Sequence, residues 1–172
     1  MKIKAILVLT LSAAAASVLG ADVTINEVDA TGNIVKMGTV TLSETPYGIL
    51  LTPDLKGLPA GMHGFHLHEK PNCANTTVDN VVTVAGGAGG HWDPEHTAKH
   101  EGPYGQGHLG DLPGLYAAPD GSASTPVLAP RIKTLNQLHG LALMIHAGGD
   151  NHSDHPVKFG GGGARIACGV VD

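Results

Sequence analysis

A chain of 172 residues with ten basic and fifteen acidic side chains and no basic run argues against a nucleic-acid partner. Only six residues are aromatic while 25 are glycine and 11 are proline, so a core must be assembled from Val, Ile, Leu and Ala between many turns. The length suits one domain with a single buried core.

The first element is not part of that domain. Lys2 and Lys4 precede an uncharged, mostly apolar stretch from Ala5 to Leu19, followed by the small residues Gly20 and Ala21. A basic start, an apolar stretch short for a bilayer-spanning helix and a small-residue end describe a secretory signal peptide over residues 1–20. An uncleaved membrane anchor is the alternative. Cleavage after Gly20 and cleavage after Ala21 both stay open. The rest, 21–172, reads as one domain with eight basic and fifteen acidic residues, a net charge of −7. No later apolar stretch is long enough to cross a membrane, so the exported part is expected to be soluble. Cys73 and Cys168 would then sit in an oxidising compartment, where an even pair most simply means one disulfide. Two unpaired buried thiols are the alternative.

Helical periodicity is nearly absent, and short β-type runs succeed one another instead. In chain order they are Val23–Ile25, Val35–Leu42, Gly48–Leu51, Phe65–His68, Leu141–His146 and Arg165–Val171. Many short strands between Gly and Pro turns predict an all-β sandwich or barrel. Two Gly-, Pro- and His-rich segments, 69–117 and 147–163, interrupt the strands. Loops of that length inside a compact domain are usually functional or disordered, and their histidines favour function. The run Gly160 to Gly163 reads as a tight backbone turn into the last strand rather than a linker.

Eleven histidines fall between His63 and His155. His66 and His68 lie two apart on a predicted strand, so both imidazoles project from one face and one ion can take both. The next segment carries His91, His100, His108 and Asp111, and three imidazoles with one carboxylate make a closed tetrahedral shell that suits zinc. His146 ends an apolar strand, where a histidine satisfied by backbone is as reasonable as a ligand. His63, His96, His139, His152 and His155 receive no role and are expected on the surface.

Taken together, GFHLHEKPNC, GGHWDP, KHEGPYGQGHLGDLPGL, LMIHAGGDN and GGGGARIACGV occur in order and resemble signature segments of copper/zinc superoxide dismutases. The spellings GHLGDLP and AGGDN resemble the bacterial periplasmic branch. The resemblance implies an all-β Greek-key sandwich, a flattened eight-stranded barrel with two long functional loops. It implies copper held by His66, His68, His91 and His146, and zinc held by His91, His100, His108 and Asp111, with His91 shared between the ions as an imidazolate. His100 fits the zinc set better than His96, which lies in a less patterned stretch. Asp150 matches the carboxylate that hydrogen-bonds one ligand of each metal. Arg165 matches the arginine that guides the anion, with Lys70 and Lys158 as further positive charge, and Cys73 and Cys168 match the intramolecular disulfide.

The same resemblance implies an exported, periplasmic enzyme that converts superoxide to dioxygen and hydrogen peroxide, with one copper and one zinc per subunit. The Ser43–Gly48 stretch and GHLGDLPGL point towards a homodimer, although monomeric relatives share much of both. Trp92, large for its place beside His91, is expected to pack at the channel edge or in a subunit contact. A periplasmic copper and zinc carrier would use the same ligands without needing Arg165 or a shared imidazole. A sandwich that uses zinc only as a staple would leave His66, His68 and His146 unexplained.

Overall fold

The computed structural model describes residues 20–32 and 34–172. The expected signal peptide lies outside the described residues except for Gly20, which opens the first strand. Among the described residues the fold has eleven strands: β1 Gly20–Glu27, β2 Val35–Thr45, β3 Gly48–Leu55, β4 Gly61–His63, β5 Phe65–His68, β6 Thr76–Val78, β7 Val81–Thr83, β8 Leu115–Ala117, β9 Val127–Ala129, β10 Leu141–His146 and β11 Arg165–Val171. Three single-turn 3-10 segments complete the architecture, and no described residue is α-helical. Among the described residues, no helix is long and apolar enough to cross a membrane.

Seven strands form one antiparallel sheet in the order β5-β10-β11-β1-β2-β3-β9, with β4–β8 and β6–β7 as separate pairs. The last two strands of the sheet in sequence, β10 and β11, insert between β5 and β1, which brings the end of the chain back to its beginning. This all-β arrangement is the one expected.

Alternation along β5 positions the histidines. Phe65 and Leu67 point into the main core with Val40, Leu42, Ile49, Leu143 and Ile145, all at 0% exposure. His66 and His68 take the opposite parity and are equally buried, at 0% and 1%, beneath the long loops. A strand buried on both faces needs a cover on its polar side, and the loop segments supply one. His68 bridges to His91 and His66 to Asp111. Backbone hydrogen bonds from Leu67 N to Gly110 O (2.8 Å) and from Trp92 N to Leu67 O (2.8 Å) fasten that cover down. Trp92 is partly buried and packs against the main core.

The first long segment is more ordered than its composition suggests. It contains the β6–β7 hairpin, whose turn residues Asp79 and Asn80 adopt left-handed backbone (φ 50° and 61°), a 3-10 turn at Gly86–Ala88, and β8 at its end. The glycine run turns as expected, with Gly160, Gly161 and Gly163 at φ 72°, 77° and 70°. Gly160 is obligatory for a second reason: a Cβ there would collide with the Asp150 carboxylate and lie 2.7 Å from His100 Nε2.

Cys73 and Cys168 are joined, with Cα atoms 5.9 Å apart across a sequence separation of 95. The bond ties the loop after β5 to β11, and Cys168 sits in a small second core with Ala85, Ala88, Ala142 and Met144. Removing such a crosslink from a domain this size typically costs about 2–5 kcal/mol. Cys73→Ser with Cys168→Ser is therefore expected to lower the guanidinium unfolding midpoint by that equivalent, and an unchanged midpoint would count against a stabilising role.

Candidate metal centre

Strand β5 contributes His66 and His68, the end of β10 contributes His146, and the first long segment contributes His91, His100, His108 and Asp111. Chain order separates these residues by up to 80 positions, yet their rings form one contiguous group. The His91 centroid lies 4.0 Å from His66, 5.1 Å from His68, 6.0 Å from His146, 5.3 Å from His100 and 5.3 Å from His108. His66, His68, His91 and His146 present ligand atoms within 4.8 Å of one another, and so do His66, His91, His100 and Asp111. His108 falls outside the second group by that measure but approaches it, its Nδ1 lying 3.3 Å from Asp111 Oδ1. His91 belongs to both groups, and its Nδ1 is 3.0 Å from Asp111 Oδ1.

The chemistry of the donors tests whether metal ions fit here. Among the described residues, the buried side-chain atoms without a hydrogen-bond partner are His66 Nδ1, His68 Nε2, His146 Nε2, His100 Nδ1, His108 Nδ1, Asp111 Oδ2 and Arg131 Nε. Six of these seven are lone-pair donors on the expected ligands, three for each ion, and within the second set His100 Nδ1 and Asp111 Oδ2 lie 3.0 Å from each other. Buried polar atoms are ordinarily paired, so an orphan set converging on two points is what cation ligation explains. The opposite nitrogens of four of these rings are occupied. His68 Nδ1 meets Gly89 O at 3.0 Å and His146 Nδ1 meets Gly163 O at 3.1 Å, while His66 Nε2 and His100 Nε2 meet Asp150 at 2.8 Å each. Such contacts fix ring orientation and tautomer. Asp150 thus spans one member of each group with its two oxygens.

Charge is governed by burial and pairing. Burial pulls His66 down to about 3 and His146 down to about 4, and it lowers His68 and His91 as well. Burial also disfavours charge on His100, but the Asp111 and Asp150 carboxylates outweigh it and raise that ring to about 9. Asp111 and Asp150 are held well below the usual carboxylate range, their burial outweighed by imidazole hydrogen bonds.

In the metal-free protein, the neutral rings of His66 and His146 contribute stability that is present above pH 6.5 and is lost as the pH falls towards 3–4. His100 works in the opposite sense, contributing stability that is full below pH 6.5 and is lost as the pH rises through about 9. An ion held at His100 must displace the proton of that ring, whereas the His66, His68 and His146 rings are neutral at neutral pH, and His91 gives up its N–H only when ions occupy both groups. Zinc affinity is therefore expected to rise about tenfold per pH unit between pH 7 and 9, with about one proton released per ion, while copper affinity for the zinc-free protein stays flat. Calorimetric titration in buffers of different ionisation heat measures both, and proton release on copper binding alone would contradict the scheme.

A cavity of about 280 Å³ opens onto His68, His91 and His146 and is also lined by Lys158, Phe159 and Arg165. Arg165 donates to Ala85 O and Gly89 O at 2.6 Å each, so its guanidinium is fixed beside the imidazoles. Lys158 shares the cavity wall, whereas Lys70 is exposed and lies 4.0 Å from Glu69.

Three residues without an assigned role also contribute. His63, expected on the surface, is 1% exposed, with Nδ1 2.7 Å from His146 O and Nε2 2.7 Å from Pro59 O. Its parity with Phe65 and Leu67 is the available signal, because residues two apart across Gly64 face the same core. Arg131 donates to Gly107 O at 3.0 Å and to His108 O, stapling the His108 loop to the turn after β9. Asp154 accepts from the backbone N–H of His100 at 2.9 Å. Nothing local in the sequence marks those last two. His96, His139, His152 and His155 are exposed, as expected.

Comparison with known proteins agrees with this geometry. Residues 36–171 match the family model described as copper/zinc superoxide dismutase (SODC). A superoxide dismutase [Cu-Zn] from Haemophilus ducreyi is 52% identical over 150 residues, covering 87% of this chain and 75% of the relative. The structure of the Cu/Zn superoxide dismutase from Brucella abortus superposes with a TM-score of 0.87 at 46% identity, covering 90% of this chain and all of that one. The solution structure of the monomeric copper, zinc superoxide dismutase from Salmonella enterica gives 0.81 at 52% identity, covering 88% and 99%. With the shared imidazole, the paired carboxylate and these relatives together, the chain belongs to the copper/zinc superoxide dismutase family, oxidoreductases that use one copper and one zinc ion.

Proposed function

We propose that this chain dismutes superoxide at copper held by His66, His68, His91 and His146, with zinc held by His91, His100, His108 and Asp111. The observation that carries the reading is His91, one ring common to two groups whose other members are buried and whose ligand atoms lie within 4.8 Å of one another. When bound, copper supplies the one-electron couple that takes an electron from one superoxide, releasing dioxygen, and gives it to a second, which leaves with two protons as hydrogen peroxide.

The chain's own residues do the rest. Arg165 carries a permanent charge, and its two carbonyl hydrogen bonds hold that charge beside the cavity, where it attracts the anion and donates to it. Because Nδ1 of His91 faces Asp111, Nε2 is left for the copper side. That nitrogen takes up a proton between the two half-reactions and returns it to the departing peroxide. Asp150 keeps the rings of His66 and His100 in fixed orientation, coupling the two ion sites mechanically. The disulfide and Arg165 brace the same loop, since Ala85 and Gly89 lie on the segment that Cys73 begins.

The domain at 21–172 is read as exported to the periplasm after removal of residues 1–20, and N-terminal sequencing of protein from the periplasmic fraction tests this. It is further read as a homodimer. The cross-strand pair Met62 and Tyr116 on β4–β8 is 53% and 47% exposed, and Tyr47 is 75% exposed, which leaves apolar surface for a second copy. Sedimentation equilibrium at micromolar concentration decides, and a monomer throughout would reject the dimer.

The function itself is tested by metal analysis with a superoxide-consumption assay on the mature protein. One copper and one zinc per chain with near diffusion-limited consumption is expected. A doubly loaded protein without activity would favour the metal-carrier reading.

A further inference from the structure

We infer that Asp154 is a positioning residue that ties the rim of the anion cavity to the zinc loop by holding the Phe159 ring across the imidazoles of His91 and His108. One carboxylate spans the two long segments: its Oδ2 accepts from the His100 N–H at 2.9 Å and its Oδ1 from the Phe159 N–H at 3.2 Å.

Phe159 is placed where a bulky residue seldom rests. Its φ of 57° is left-handed, a conformation that persists only where the surroundings impose it and that clusters at functional sites. The ring is 50% exposed instead of buried in the core. It lies 5.2 Å from the His91 ring and 6.0 Å from the His108 ring, and it lines the cavity together with Val157, Lys158 and Arg165.

A flat apolar ring beside two cationic side chains narrows the approach without adding charge. A small anion can pass it, whereas a bulky hydrated anion such as phosphate, which the same positive field attracts, meets the ring and must shed water against an apolar face. Asp150 and Asp154 divide the labour. Asp150 orients the His66 and His100 rings and also accepts from the His152 N–H at 2.7 Å, whereas both Asp154 contacts are to backbone, so that the loop carrying a zinc ligand also sets the width of the opening. The inference rests on the reading of this cavity as the approach to copper.

The test uses fully copper- and zinc-loaded wild type, Asp154→Ala, Phe159→Ala, Phe159→Leu and the double alanine variant, with metal content verified. Azide and inorganic phosphate are titrated against the copper absorption and EPR spectra. Phosphate is expected to bind about tenfold tighter in Phe159→Ala and in Asp154→Ala, with azide changed by no more than about twofold. The double variant should gain nothing beyond Phe159→Ala alone, because both act through one ring. Phe159→Leu should retain a ratio near wild type. Amide exchange of Phe159 should accelerate in Asp154→Ala, and should Asp154→Ala not fold, Asp154→Asn, which keeps one acceptor, should show the same changes at smaller size. A wild-type anion ratio in Asp154→Ala, or additive effects in the double variant, would overturn the strap, and a wild-type ratio in Phe159→Ala would overturn the rim. A wild-type copper spectrum that ignores azide would instead overturn the cavity as the anion approach, and the strap with it.

Discussion

His91→Ala is expected to reduce superoxide turnover by more than about 100-fold while leaving both ions able to bind. The ring is the one group whose contacts reach every other histidine ligand, at centroid distances from 4.0 Å to 6.0 Å. Without it, His66 Nδ1, His68 Nε2 and His146 Nε2 remain for the proposed copper site, and His100 Nδ1, His108 Nδ1 and Asp111 Oδ2 for the proposed zinc site. Three donors hold a divalent ion, so occupancy should survive where coupling does not. The copper spectrum should then stop responding to removal of zinc. A variant that keeps the wild-type copper spectrum, its zinc sensitivity and its turnover would reject the shared-ligand assignment and reduce the centre to two independent sites.

Arg165→Ala is expected to slow turnover roughly 10- to 100-fold at low ionic strength and to flatten the dependence of rate on salt. The protein is net negative, so anion attraction must come from local charge, and Arg165 is the fixed cation on the cavity wall. Arg165→Lys separates its two roles. A lysine keeps the charge but lacks the fork that reaches both Ala85 O and Gly89 O, so it should restore much of the salt dependence with a lower rate. Neither change touches a ligand atom, and metal content should stay at wild type. An unaltered rate and ionic-strength profile in fully loaded Arg165→Ala would remove the guidance role.

Much of the centre is legible in the sequence because β-structure converts parity along a strand into spatial side. His66 and His68 must share a face once Phe65 and Leu67 belong to the core, and both are buried on that face. The same rule places His63 with Phe65 and Leu67, yet a histidine just ahead of a metal pair reads as surface. It is instead held between His146 O and Pro59 O. Strands of three residues, such as β8 and β9, show too little alternation to be read, and the β6–β7 hairpin is hidden in a segment whose composition looks like loop. Trp92 lies against the core because Leu67 and Gly110 fix its backbone there, a constraint that a loop sequence does not display.

By itself, the sequence determined the composition of the centre: which imidazoles and carboxylates exist, that the chain is all-β, and that two cysteines were available to brace it. Those properties depend on residue type and on spacing along a strand, which are local. Only the tertiary structure decided that His91 lies between the two groups, that Asp150 reaches His66 and His100 at once, and that Asp154 joins His100 to Phe159. Each of those contacts joins distant parts of the chain or passes through backbone N–H groups that nearly every residue carries. Such contacts are set by how the β5–β10 pairing and the two loop covers close over one another.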